Sequence, residues 1–203
     1  MYIADFFKLL EAKETADRIP YVQKQCSSLS LEFSQISQDV EELEWAKTAF
    51  GSPDGPDATN IWIGDSRATS SLHKDPYENI YCCISGQKTF TLIPPCDTPF
   101  LYRKLYPVAQ YDNQMEIIES VEDQKVPWIE LDPDNADMEK FPLFKNATVL
   151  KAVLNPGDVL YLPSLWYHKV AQADDTIAVN FWYDMQFNAN YGMSTFYDAL
   201  DGI

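Results

Sequence analysis

SLHKDPYENIYCCISGQKTFTLIPP, residues 71–95, decides how this chain reads. Within it, NIYCCI (79–84) and KTFTLI (88–93) are runs of β-branched and aromatic residues separated by SGQ (85–87). On a strand, successive side chains point to opposite faces, and a short Gly-containing connector reads as a tight hairpin turn. The pattern recurs on both sides. Upstream lie NIWIG (60–64) and ATSSLH (68–73). Downstream lie MEIIES (115–120), TVLKAVL (148–154), VLYL (159–162), HKVAQ (168–172) and TIAVNFWY (176–183). NPGD (155–158) and ADD (173–175) read as further tight turns. Many short strands at this spacing predict a sandwich or barrel rather than alternating βα units.

Helices are expected at the margins. Residues 5–18 place Phe6, Leu9, Leu10 and Lys13 at helical spacing, and Pro20 ends the run. Tyr21 to Gln25 alternates weakly, as a strand would. Residues 39–50 read as an amphipathic helix with Asp39 as N-cap and Gly51 after its end. Residues 191–203 carry Phe196, Leu200 and Ile203 at helical spacing, a face for the chain's own barrel or for a second copy in a homodimer. Residues 112–139 hold ten acids against the single base Lys125 and interrupt the strand rhythm, so most of this segment is expected to be a surface insertion.

At 203 residues, with 46% hydrophobic and 14% aromatic content, the chain fits one domain with a substantial core, which excludes a disordered chain. A net charge of −16 would repel a phosphate backbone, so nucleic acid is excluded as a backbone-contacting partner and a basic partner is favoured; the charge also serves solubility. No apolar run approaches the roughly 20 residues that cross a bilayer, so no membrane is expected. Cys26, Cys82, Cys83 and Cys96 show no CxxC spacing, and reduced thiols in a cytoplasmic or nuclear location are expected.

Only two histidines, His73 and His168, are available for metal or nucleophile chemistry. On an extended chain His73 and Asp75 project from one face. Composition alone gives roughly one histidine in seven an acid two places on, so that pair by itself says little. His168 opens a new strand beyond NPGDVLYLPSLWYH. Two histidines and one carboxylate on neighbouring strands make a facial triad, which suits non-haem Fe(II), with zinc as a chemical alternative. Lys88 shares a strand face with Phe90 and Leu92. It is either paired with an anion inside the barrel or placed at the strand end with its ammonium in water. Ser70, Asn79 and Asn180 lie in or beside strands and can hydrogen-bond a bound acid or serve structure.

Three stretches, residues 71–95, NPGDVLYLPSLWYHKV (155–170) and IAVNFWYD (177–184), together resemble the JmjC family of Fe(II)- and 2-oxoglutarate-dependent oxygenases, in its small-hydroxylase branch. YVQKQCSSL (21–29) and VPWIELDP (126–133) fit the same family, so the likeness covers most of residues 20–190. The resemblance implies a mainly β fold, the double-stranded β-helix or cupin-like jelly roll with peripheral helices, as one domain over 1–203. It implies His73, Asp75 and His168 as ligands of Fe(II), and Lys88 as partner of the distal carboxylate of 2-oxoglutarate. Tyr21, Ser70, Asn79 and Asn180 would help to hold that co-substrate, with O2 as the second one. Ser70 stands where relatives often have Thr. Trp182 and Tyr183 match aromatic residues at the pocket mouth. Relatives carry a longer N-terminal region, so a domain lacking that region is expected.

The reaction implied is hydroxylation of a lysine side chain in a protein, with a GTP-binding protein or another basic peptide as substrate. Asparaginyl hydroxylation and N-methyl lysine demethylation are alternatives in the same family. From other classes come a non-catalytic barrel used as a binding module, and metal-dependent peptide hydrolysis, for which no general base stands out beside the triad.

Overall fold

Two long antiparallel strands, β4 (Tyr77–Ile93) and β11 (Tyr167–Asp184), form the spine of the molecule, paired from Tyr77↔Asp184 to Ile93↔Tyr167. The computed structural model describes residues 2–12, 19–112, 116–119 and 124–203. Two strands share the outer edge of β11. β2 (Ala58–Gly64) pairs with its C-terminal half and β3 (Ser70–Lys74) with its N-terminal half. The outer edge of β4 is shared likewise by β10 (Val159–Leu162) and β9 (Leu150–Leu154). A short β1 (Tyr21–Val22) extends β2.

Four stretches of chain therefore run side by side, and each bends at the same level: at 65–69, 85–87, 155–158 and 173–176. The bends fold one half of the sheet over the other. Trp62, Tyr81 and Cys83 from one half and Phe90, Leu92, Leu154 and Val170 from the other pack into one internal cluster. This is the expected jelly roll with peripheral helices.

SGQ, ADD and NPGD are bends rather than hairpin turns. β4 and β11 continue through the first two, and NPGD joins β9 to β10 along the same edge of β4. Gly86 (φ +72°) and Asp174 (φ +59°) adopt the left-handed conformation that a tight turn would also need, so the local signal is the same for a bend and a reversal. At Gly86 the two spine strands nearly touch. A Cβ there would lie 2.7 Å from the Asp175 carbonyl oxygen and 2.8 Å from Thr176 Cα.

Alternation along the strands turns the other side chains outward. On the first half Ile61, Ile63, Ile80, Val179, Phe181 and Tyr183 pack under Phe6 and Leu10 of α1 (Ile3–Glu11), Leu29 of α2 (Ser28–Leu31) and Ala46 of α3 (Glu44–Phe50). α3 begins four residues later than Asp39 as N-cap predicts, with Leu43 at the N-cap position. Asp39 instead ends a 3-10 turn, while Gly51 (φ +67°) does close the helix. Residues 13–18 of the expected first helix, and residues 115 and 120 of the expected strand, lie outside the described residues. The Tyr21–Gln25 strand shortens to Tyr21–Val22.

On the second half Leu72, Ile93 and Tyr167 are covered by Leu101, Ile129, Leu131, Phe141 and Phe144. The acidic 112–139 segment is therefore not all surface, because Ile129 and Leu131 close this cluster. Before them it forms part of two ribbons. β5 (Lys104–Pro107) pairs with β8 (Lys125–Trp128), and β6 (Ala109–Tyr111) with β7 (Ile117–Glu119). The C-terminal α4 (Ala189–Asp201) presents Phe196 and Leu200 to solvent instead of the barrel.

Candidate metal centre

His73 on β3 and His168 on β11 are directly opposite each other across the ladder, with ring centroids 4.2 Å apart. Asp75 follows the end of β3, and its Oδ2 lies 3.9 Å from His73 Nε2 and 3.6 Å from His168 Nε2. Among the described residues these three side chains form the one group whose ligand atoms, all within 4.8 Å of one another, could share a metal ion. Each imidazole is oriented from behind. His73 Nδ1 is 2.7 Å from the Ser71 carbonyl and His168 Nδ1 is 3.1 Å from the Trp166 carbonyl. Donation from both Nδ1 atoms leaves both Nε2 lone pairs directed at a common point. Burial, reinforced by the neighbouring His73, pushes His168 down to about 4, against the pull of Asp75. The ring is thus neutral and able to ligate across the physiological range.

The three side chains line a cavity of about 310 Å³ together with Tyr21, Ser70, Asn79, Asn180 and Trp182. Ser70 reaches it because of a β-bulge. His168 pairs with His73 but Val170 pairs with Ser70, so one extra residue on β3 brings positions 70 and 73 to the same face. Asn180 and Asn79 form a buried amide pair. Asn180 Nδ2 donates to Asn79 Oδ1 at 3.0 Å, and Trp62 Nε1 donates to Asn180 Oδ1 at 2.8 Å. Trp182 stacks on Tyr77, centroids 4.7 Å apart, and its buried Nε1 has no hydrogen-bond partner among the described residues. Tyr183, expected at the mouth, points the other way into the outer cluster against Phe50, as adjacent strand residues must.

Lys88 is 1% exposed, which removes the reading in which it sits at the strand end in water. It does not line the cavity itself but lies against Tyr21, which does. Its ammonium donates to Tyr21 Oη at 3.2 Å and to Gln172 Oε1, and sits 5.2 Å from the Tyr21 ring centroid. Gln172 Nε2 in turn donates to the Asp65 carbonyl at 2.7 Å. Among the described residues no carboxylate pairs with Lys88, and burial lowers it to about 7.

Gln172, which holds Lys88, and the lining residue Trp128 are among the residues that escaped the sequence reading. Gln172 is four places beyond His168 on the same strand face, so period-two counting contains the signal. Trp128, at the end of β8, lies nearly parallel to the His73 ring, planes within 8° and centroids 6.4 Å apart. Nothing in its local sequence marks it, because the contact depends on how the insertion folds back.

The fold and this constellation define a cupin-like domain of the JmjC kind, and the chain belongs to that family: the cupin-like domain profile matches residues 1–189. The chain is 42% identical over 197 residues to the human bifunctional peptidase and (3S)-lysyl hydroxylase JMJD7, covering 95% of this chain and 62% of that protein. It is 40% identical over 205 residues to JmjC domain-containing protein E of Dictyostelium discoideum, covering 89% and 58%. It is 37% identical over 212 residues to the lysine-specific demethylase JMJ32 of Arabidopsis thaliana, covering 95% and 60%. The chain thus spans about six-tenths of the length of these relatives.

Proposed function

We propose that this domain is an Fe(II)- and 2-oxoglutarate-dependent oxygenase that hydroxylates a lysine side chain in a basic segment of a protein. One observation carries the reading. A two-histidine, one-carboxylate triad lines a cavity beside a buried ammonium that has no anionic partner among the described residues. The donor set suits Fe(II), which His73, Asp75 and His168 would hold. A buried cation without a counter-ion is costly, and a dicarboxylate such as 2-oxoglutarate would supply the missing charge.

Bound there, Fe(II) with 2-oxoglutarate and O2 would supply the oxidising power for C–H hydroxylation. The chain's own residues do the positioning. Lys88 takes the distal carboxylate, with Tyr21 moving aside or sharing the contact. Ser70 offers a hydroxyl, and the Asn79–Asn180 pair fixes the opposite wall. Trp62, Tyr81, Phe90 and Val170 keep that end of the cavity apolar and exclude water.

A lysine target is supported by the relative named as a lysyl hydroxylase and by the net charge of −16, which attracts a basic segment. A GTP-binding protein as that target rests on family resemblance alone. Four free thiols, with Cys26 and Cys96 exposed, fit a reducing cytoplasmic or nuclear location, and among the described residues no helix is long and apolar enough to cross a membrane.

The test is incubation with Fe(II), 2-oxoglutarate, O2 and a lysine peptide, reading succinate and peptide mass. Gain of one oxygen atom with matching succinate is expected. Loss of methyl from a methylated peptide without that gain would make it a demethylase, and absence of succinate under all conditions would favour a binding module.

A further inference from the structure

Lys74 stands between the ligands His73 and Asp75, and alternation turns it to the other face of β3. There its ammonium donates to Ser194 Oγ at 2.6 Å, lies 3.5 Å from Asp198 Oδ1 and sits 5.7 Å from the Tyr167 ring centroid. Tyr167 is the cross-strand partner of Lys74 and precedes the third ligand, His168. Ser194 and Asp198 belong to α4, and with Asp201 they lie four and three residues apart, on one helical face. Asp198 also binds Arg103, whose side chain is 2% exposed and which reaches Asp201 at 2.6 Å. Two cations and two acids thus balance beneath the helix.

This inverts the usual arrangement of an amphipathic helix. α4 docks on the barrel by its polar face, while Phe196 (59% exposed) and Leu200 (65%) face solvent. A docking face built of charges holds few positions equally well, because each ion must meet its partner. β3 needs such an anchor. It is five residues long, bulged, and hydrogen-bonded to β11 along one edge, with no strand on its other edge among the described residues.

We propose that Lys74 is a positioning residue for the metal site: held by Ser194 and Asp198 of α4, it fixes β3 from outside and so sets how His73 and Asp75 meet His168. The C-terminal helix thereby tunes metal affinity without touching the metal. The proposal rests on the reading of His73, Asp75 and His168 as ligands.

Anaerobic Co(II) titration of the full chain tests it, since Co(II) affinity and visible d–d bands report ligand geometry independently of turnover. Lys74→Met keeps the stem and removes the charge. It is expected to bind Co(II) about tenfold or more weakly than wild type, with a shifted d–d spectrum, while circular dichroism shows a folded chain. Lys74→Arg is expected to restore most of the affinity. Ser194→Ala, which removes one hydroxyl, is expected to lose a few-fold, and decides the matter if Lys74→Met does not fold. Folded Lys74→Met and Ser194→Ala chains with wild-type affinity and spectrum would overturn the proposal alone. A wild-type chain that takes up no Co(II) would overturn the metal-site reading, and this proposal with it.

Discussion

Trp128 lies nearly parallel to His73, planes within 8° and ring centroids 6.4 Å apart, and so stands beside one imidazole of the candidate metal site. Its position is set on both sides. Pro127 and Val126 continue into the β5–β8 ribbon, and Ile129 and Leu131 anchor the following residues in the second-half outer cluster. Trp128 is still 42% exposed, so one face or edge of its indole remains available at the cavity mouth. Trp128→Ala is therefore expected to raise KM for a lysine peptide about two- to tenfold, the range of an aromatic contact of about 0.5–1.5 kcal/mol, with a smaller change in kcat. Steady-state kinetics of peptide hydroxylation check this, and an unchanged KM would remove Trp128 from the substrate path.

Lys88 predicts a pH dependence with a definite sign. Its folded value of about 7 lies below its ordinary value of 10.5, so between these the unfolded chain binds more protons than the folded one. Stability consequently rises with pH across that window and is flat below it. Urea denaturation from pH 6 to 10 is expected to show this rise in wild type and its loss in Lys88→Met.

A bound dicarboxylate would raise the Lys88 value, so co-substrate binding above pH 7 is expected to take up protons and to weaken as the pH climbs. Calorimetry in two buffers of different ionisation enthalpy measures that uptake. In Lys88→Met the affinity is expected to fall about a hundredfold, since a charge-assisted contact of roughly 3 kcal/mol is lost. Equal proton uptake in both chains would place the anion elsewhere.

Two glycines separate site effects from fold effects. A Cβ on Gly64 would lie 2.6 Å from Tyr21 Cδ2 and 2.7 Å from Gln172 Nε2, the two side chains that hold Lys88. Gly64→Ala is expected to fold with a loss of about 1–3 kcal/mol and to weaken co-substrate binding by displacing those partners. Gly86→Ala meets backbone atoms of Asp175 and Thr176 and a φ of +72°, neither of which can yield cheaply. It is expected to lose more stability than Gly64→Ala, about 3 kcal/mol or more. Denaturation midpoints and co-substrate affinities of both variants test the distinction.

Period-two alternation put His73 and Asp75 on one face and Lys88 on the face of Phe90 and Leu92, but it left Lys88 open between the barrel interior and the strand end; the family resemblance, not the alternation, singled out the triad and the inward lysine. The barrel was legible from the spacing of its short apolar runs. Three features were not. Gly86 and Asp174 carry turn signals that the sheet uses for bending, and only the pairing of β4 with β11 along their whole lengths tells the two uses apart. Ser70 sits three places from His73, an odd spacing that alternation sends to the opposite face until the bulge reverses it. Phe196 and Leu200 mark a helix correctly yet mislead about which face docks, because the barrel beneath offers Lys74 and Arg103 rather than an apolar groove.

The stacking of Trp128 and the burial of Ile129 and Leu131 show a further limit. Ten acids in 112–139 dominate the composition of that segment, but three apolar residues near its end decide where it lies. Average polarity predicts exposure of a segment, whereas packing is decided residue by residue.

The central claim is that His73, Asp75 and His168 jointly hold one metal ion. Anaerobic Mn(II) titration of the wild-type chain against His168→Ala tests it most directly. One equivalent bound by the wild type, with binding lost in the variant while the chain stays folded, is the predicted result. Undiminished one-to-one binding by His168→Ala, or no uptake by the wild type, would contradict the account.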